Sequence, residues 1–184
     1  MTHRQLAIIL LLSAVIVAPG CQNRDEAIKT MQVYDLLAAF PRAVVTAPAA
    51  TYVLRGDFTV GHDTLPSLFI HPASSVEFPP VRVSADSVLT FRFGVRDEVW
   101  DKEGDGVDFT VFVQGNGPKV KVFSRYADPK HNPGDRHWID GRVPLRAFAG
   151  QDIRITLATG PGPAGDTTND WAVWGEPKII LATK

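Results

Sequence analysis

Six carboxylates fall within the twelve residues from Asp97 to Asp108: Asp97, Glu98, Asp101, Glu103, Asp105 and Asp108. Hard oxygen donors at this density could hold Ca²⁺, with Asp97, Asp101, Asp105 and Asp108 as the candidate ligands. The spacing is not that of an EF-hand, because no D-x-D-x-D-G run precedes a glutamate at the required distance. The pattern favours a solvated acidic loop beside a strand; an ion here would lock that loop rather than do chemistry, and no cofactor is required. His131, Asp135 and His137 form the second grouping of ligand types. A catalytic zinc site wants its histidines fixed on a helix or strand, and six residues containing Pro133 and Gly134 read instead as a polar hairpin loop. Nucleophilic catalysis finds no G-x-S-x-G elbow and no serine in a glycine frame. Recognition is better served. Trp100, Tyr126, Trp138 and Trp171 fall at strand ends or in loops, where an aromatic face can stack on a sugar ring while Arg, Asp and Asn bond its hydroxyls. Singly, each is more often a packing residue; gathered at one end of a fold they would make a binding platform.

The elements that must hold these residues are strands. In the segment 89–95 Leu89, Phe91, Phe93 and Val95 alternate with polar or small residues, the period of a half-buried strand. The same alternation places Val107, Phe109, Val111 and Val113 on one face, and Ile153, Ile155 and Leu157 on another. Further strands are expected at 51–55, 67–71, 80–84, 119–125 and 173–181. Gly115-Asn116-Gly117-Pro118 and Gly160-Pro161-Gly162-Pro163 supply turns between them. Val33, Leu36, Leu37 and Phe40 have helical spacing and Pro41 ends the run, predicting one amphipathic helix over 26–40 that plugs an end of the sheets. Phe112 and Phe123 are expected on the faces opposite their neighbours, covering a second layer. Some eight short strands without intervening helices predict an all-β sandwich. Trp171 and Trp174 must point to opposite faces; Trp174 is read as the buried one, with Asp170 tying down the loop before it.

Three segments carry a family likeness: Phe93-Gly94-Val95 with Gly104 to Val111, then Val143 to Gln151, then Asp170 to Ile179. Together they resemble the NPCBM-type carbohydrate-binding modules, which have the galactose-binding-like jelly roll. The likeness spans residues 85–181, about half the chain. It implies a β-sandwich jelly roll with a short N-terminal helix, often stabilised by a structural calcium, and a sugar-binding rather than catalytic role. Residues 41–84 carry no motif of that pattern, although in such jelly rolls that half supplies part of the ligand-facing loops.

The N-terminus bears on location. Arg4, the apolar run Leu6–Ala18 and the small or turn-forming residues before Cys21 have the layout of a secretory leader, 1–20, and thirteen residues are too few to span a bilayer. Cys21 is the single cysteine of the 184-residue chain and cannot form an internal disulfide. The segment resembles a bacterial lipoprotein signal, which implies lipidation at Cys21, a tether over 21–25 and one domain over 26–184. Gln22 implies the outer membrane by the sorting pattern of such lipoproteins. Removing residues 1–20 leaves 18 basic against 20 acidic side chains, so nothing electrostatic recommends nucleic acid as a partner. The expectation is a lipid-anchored, non-catalytic binding module of the cell envelope whose partner is a glycan. The alternatives are an assembly lipoprotein contacting another envelope protein and, less favoured, a metal-dependent hydrolase using the His131 loop.

Overall fold

In the computed structural model, residues 30–183 are described; the expected leader, the tether and Cys21 lie outside the described residues. Strands β1 (Thr30–Asp35), β2 (Val44–Thr46), β3 (Val53–Val60), β4 (Asp63–Ile70), β5 (Ser74–Glu77) and β6 (Val81–Arg82) come first. They are followed by β7 (Val88–Val95), β8 (Val107–Gln114), β9 (Val120–Ala127), β10 (Ile139–Pro144), β11 (Asp152–Pro161) and β12 (Ala172–Thr183). All pairings are antiparallel, in two six-stranded sheets. The front sheet runs β10-β7-β12-β4-β3, with β1 added along the far half of β12. The back sheet runs β2-β5-β11-β8-β9, with β6 also on β11. This is the expected jelly-roll sandwich.

The core forms where period-two patterning said it would. Leu89, Phe91, Phe93 and Val95 of β7 meet Val107, Phe109, Val111 and Val113 of β8 between the sheets, all buried. Trp174 of β12 is fully buried, with its ring 5.1 Å from Phe91 and 5.4 Å from Phe109. Apolar area removed from water on this scale is the main stabilising term of a chain whose described part contains no disulfide. Thr156 and Thr159 are buried on β11, and Thr159 Oγ1 donates across to Ile70 O at 2.7 Å.

Two expectations change. The described part of the segment expected as helix is strand β1 as far as Asp35, in register with β12 from Thr30↔Thr183 to Asp35↔Lys178. An isolated helix of that length is marginal, and pairing with β12 satisfies the same backbone groups while adding a sheet partner. Helix remains only as α1 (Leu36–Ala39), where Asp35 Oδ1 accepts from Leu37 N at 2.7 Å and Ala38 N at 3.3 Å. It still plugs the sandwich, burying Leu36, Leu37 and Ala39. Phe123, expected to face away from the core, packs into it against Phe91 and Phe93 at 5.1 and 5.4 Å. A bulge in the β8–β9 register at Val111/Phe112 puts Phe123 opposite inward-facing Val111 and resets which face it occupies. Strands β2, β5 and β10 are too short or too polar to announce themselves; β2 and β10 form sheet edges and β5 joins β2 to β11.

Candidate functional site

The four aromatics singled out in the sequence do not form one platform. Trp138 is 8% exposed; it lies on the outer face of the front sheet with Val60 and Val173, its Nε1 donating to Asp63 O at 2.9 Å. Gly175 makes room for it, since a Cβ there would sit 2.9 Å from the indole. Trp100 packs beside this cluster, donates Nε1 to Val95 O at 2.7 Å, and has the Arg136 guanidinium 5.6 Å from its ring centroid. Tyr126 is bound at the other end of the acidic segment, its hydroxyl donating to Asp105 O and to Asp128 Oδ2. Burial, then the Asp128 hydrogen bond and the charges of Asp128, Asp105 and Asp108, push that phenol up to about 12. Trp171 alone among the four lines an aromatic groove.

That groove, of about 250 Å³, lies on the outer face of the front sheet at the β3–β4 hairpin. Its walls are Tyr52, Leu54, Phe58, Phe69, His71 and Trp171, with Arg96 at one side. Strand register explains the floor: Leu54 is opposite Phe69, and Phe69 is opposite Val173, so an apolar row crosses β3, β4 and β12 on the side away from the core. Tyr52 and His71 rings stand 4.5 Å apart, Phe58 and Phe69 5.9 Å apart. The Arg96 guanidinium lies 5.2 Å from the Phe58 ring and 5.1 Å from the Trp171 ring, and Lys102 Nζ lies 5.3 Å from the latter. Cation–π contacts of this kind hold the indole in place. Polar handles are few and placed. Arg96 Nε is buried without a hydrogen-bond partner, while its terminal nitrogen bonds Glu98. His71 Nδ1 donates to Pro72 O at 2.8 Å, which leaves Nε2 as the acceptor of the neutral ring. A mostly apolar, aromatic concavity with a few convergent polar groups is the usual form of a small-ligand site. Two neighbouring depressions on this sheet, of about 300 and 290 Å³, are lined largely by charged side chains such as Arg92 and Asp140 and offer less stacking surface.

Nothing in the sequence of 41–84 matched a motif, so Tyr52, Phe58, Phe69 and His71 went unremarked. Their signal was present: Leu54 and Phe58, like Phe69 and His71, fall on the alternation positions opposite core-facing Val53 and Leu68, where a solvated sheet should carry polar residues.

The acidic segment is dispersed by the fold. Asp97 opens a 3₁₀ turn, and burial, followed by the hydrogen bond and charge of Glu98, raises its carboxyl above the ordinary value. Asp101 is paired with Arg136 at 2.7 Å. Asp108 is on β8 opposite Tyr126 and Gly160. Asp105 instead faces the 162–170 loop, where Ala164 N donates to its Oδ2 at 2.6 Å. Among the described residues no three His, Cys, Asp or Glu side chains converge as a metal cage. The His131 loop likewise folds on itself: His131 Nδ1 bonds Asp128 Oδ2 at 2.8 Å, buried Asp135 accepts from Arg125 and from Asp128 N, and His137 stands exposed. Asp170, expected to tie down its loop, does so through its main chain, its N–H donating to Thr167 O and its carbonyl accepting from Ala172 N.

This two-sheet architecture is a jelly-roll β-sandwich. It is similar to a family 51 carbohydrate-binding module from a GH95 protein of Clostridium perfringens, solved with methyl-galactose (TM-score 0.57, 15% identity, covering 80% of this chain and 99% of that one). It is also similar to the K1 cleaved adhesin domain of the Lys-gingipain of Porphyromonas gingivalis (TM-score 0.54, 13% identity, 84% and 99% covered). At such identities the likeness is one of fold. In sequence, an uncharacterized protein of Archaeoglobus fulgidus is 40% identical over 132 residues, which cover 68% of this chain and 33% of that protein. The chain thus spans about a third of the length of that curated relative. No family model matches.

Proposed function

We propose that the chain is a non-catalytic carbohydrate-binding module that takes a sugar ring into the groove between Tyr52, Phe69 and Trp171, and is held at the cell envelope by lipid on Cys21. The observation that carries this reading is the aromatic groove itself, set on the outer face of the sandwich, where among the described residues no further layer packs over it. Aromatic faces supply stacking area for the apolar side of a pyranose, and His71 Nε2 supplies an acceptor for its hydroxyls. The fold shared with a module solved with methyl-galactose supports the ligand class. Lipid anchoring rests on the leader-like segment and Cys21, and an outer-membrane location on Gln22.

The test is retention of the full-length chain, purified in mild detergent, on an array of defined glycans, followed by calorimetry with methyl galactoside and with the best array ligand. Saturable binding that is lost in Tyr52→Ala and Trp171→Ala supports the groove. Retention of no sugar at all would move the function to contact with another envelope protein. Acylation is checked by intact mass of the membrane-extracted chain, which should lose its lipid in Cys21→Ser.

A further inference from the structure

The far half of the front sheet carries an apolar strip that no element covers among the described residues. Register sets it out across four strands. Val33 of β1 is opposite Ile180 of β12, Ile180 is opposite Val88 of β7, and Val88 is opposite Pro144 of β10. Their chain neighbours Tyr34, Ile179, Leu89 and Val143 pack into the core, so the strip points out of the sandwich. Met31, two residues before Val33 on the same face, extends it at the β1 end. Met31 is 66% exposed and Val33 59%, on a strand where an outward face in water should be polar. One row nearer the groove stand Arg142, Thr90 and Lys178, opposite one another on β10, β7 and β12. Neither Arg142 nor Lys178 is ion-paired among the described residues. Beyond that row the Arg92–Asp140 pair, at 3.2 Å, closes the strip off from the rest of the face.

We infer that this strip seats the module end-on on a bilayer, Met31, Val33, Val88 and Ile180 entering the interfacial layer while Arg142 and Lys178 meet anionic phospholipid headgroups. The choice of occupant rests on the reading that Cys21 is acylated. Cys21 lies nine residues before Thr30, where β1 begins, a contour of at most about 30 Å. An acyl chain on Cys21 would therefore keep the strip within that distance of the membrane surface. Apolar side chains backed by cations suit that surface: the stems of lysine and arginine lie along apolar area while their heads reach the phosphates. Five side chains are too few to hold a chain to a membrane unaided. The tether changes this, because it makes the contact intramolecular and raises the local concentration of lipid at the strip. What the strip adds is orientation more than attachment. Strand β12 runs from the groove wall at Trp171 to Ile180, nine residues or about 30 Å, so end-on seating holds the groove that far from the bilayer.

The experiment places an environment-sensitive thiol label at Val33→Cys, at Ser124→Cys on the back sheet or at Asp166→Cys in the loop before Trp171. Each full-length, membrane-extracted chain is returned to vesicles of phosphatidylethanolamine and phosphatidylglycerol, with or without brominated acyl chains. The label at position 33 should shift to the blue and be quenched by the brominated lipid, and the labels at 124 and 166 should not. Arg142→Glu and Lys178→Glu, exposed or half-exposed charge reversals that leave the core alone, should each weaken quenching at position 33. Vesicles of phosphatidylethanolamine alone should weaken it too. Lipid on Cys21 by intact mass, with no quenching at position 33, overturns the inference and leaves the anchor standing. Equal quenching at position 166 overturns the end-on seating. A dimer in mild detergent that Val33→Asp dissociates assigns the strip to a second copy of the chain instead. If the mass shows no lipid, the same labels in a Cys21→Ser background decide: quenching at position 33 upholds the strip and sinks the anchor, and its absence sinks both.

Discussion

The two outer faces of this sandwich differ in how their outward residues are grouped: charges cluster on one and aromatic rings on the other. On the back sheet the outward row is mixed: Glu77 and Thr156 sit opposite each other on β5 and β11 between Val44 of β2 and Phe112 of β8, and Lys119 and Arg154 gather around the Glu77 carboxylate. On the front sheet the outward row is Leu54, Phe69 and Val173, roofed on one side by Trp138 and open on the other between Tyr52 and Trp171. Both sheets already bury an inner face in the same core, so stability of the sandwich does not require the second apolar surface. Leu54 is left 46% exposed in it. The difference teaches that one end of the front face has become a small core of its own, and the other end a surface left open for a ligand.

The largest effect expected from breaking this contrast is at the closed end. Trp138→Ala removes a nearly buried indole and orphans Asp63 O, and should cost about 3 kcal/mol or more of unfolding free energy in urea titration. A loss below about 1 kcal/mol would mean that the roof is ornamental and that the front face is no second core. At the open end the balance reverses. Trp171→Ala gives up contacts with Arg96 and Lys102, about 0.5–1 kcal/mol each. It should nevertheless weaken sugar retention at least tenfold, a loss of about 1.4 kcal/mol or more in binding. Equal binding by the parent chain and by Trp171→Ala and Tyr52→Ala variants would place recognition elsewhere.

How far this was legible in the sequence follows the same division. The inner core was read from β7, β8 and β11 because alternation needs no partner to be recognised, and Trp174 was rightly assigned to the interior. Strand β1 was misread because Val33, Leu36, Leu37 and Phe40 fit a helical period as well, and only the distant β12 decides the matter. Phe123 was misplaced by a bulge, which shifts the alternation by one without any mark in composition. The groove was hidden for a different reason. It joins Tyr52 and Phe58 to Phe69, His71 and Trp171 across three strands and a loop, so its residues are neighbours only after register is set. Trp171 was found through its position at a strand end; the rest required knowing which face of β3 and β4 was already spoken for.

The loop that carries Trp171 also differs from the loop beneath it in the sign of its response to pH. Burial, then the charges of Asp105, Asp166 and Asp128, raise the Asp170 carboxyl to about 8, so from about pH 4, where the unfolded aspartate ionises, up to that value the folded state holds a proton that the unfolded state has released. Stability should therefore fall as pH rises through this window and level off above it, and Asp170→Asn should flatten the slope. Asp128 runs the other way. Against the cost of its burial, hydrogen bonds from His131 and Tyr126 hold its carboxyl below the ordinary value. Its contribution is present above about pH 4 and lost on acidification through the lowered value. Unfolding midpoints across pH, for the parent chain and each Asp→Asn variant, separate the two.

The smallest effect belongs to the back face, and it is the control on which the comparison turns. Glu77 accepts from Lys119 Nζ at 2.7 Å and from Thr156 Oγ1 at 3.4 Å, with Arg154 at 4.0 Å. The Lys119 hydrogen bond first, and then the charges of Lys119 and Arg154, outweigh burial and hold Glu77 below its ordinary value. Its stabilising share is complete above the unfolded value near 4.5 and is lost as pH falls through the lower folded one. Lys119 is 40% exposed, so solvent screens the pair, and Lys119→Ala should cost between about 0 and 1 kcal/mol. Sugar retention should not change at all. A back-face substitution that weakened binding as much as Trp171→Ala would mean that the groove responds to the whole sandwich rather than to its own walls, and the contrast between the two faces would lose its functional meaning.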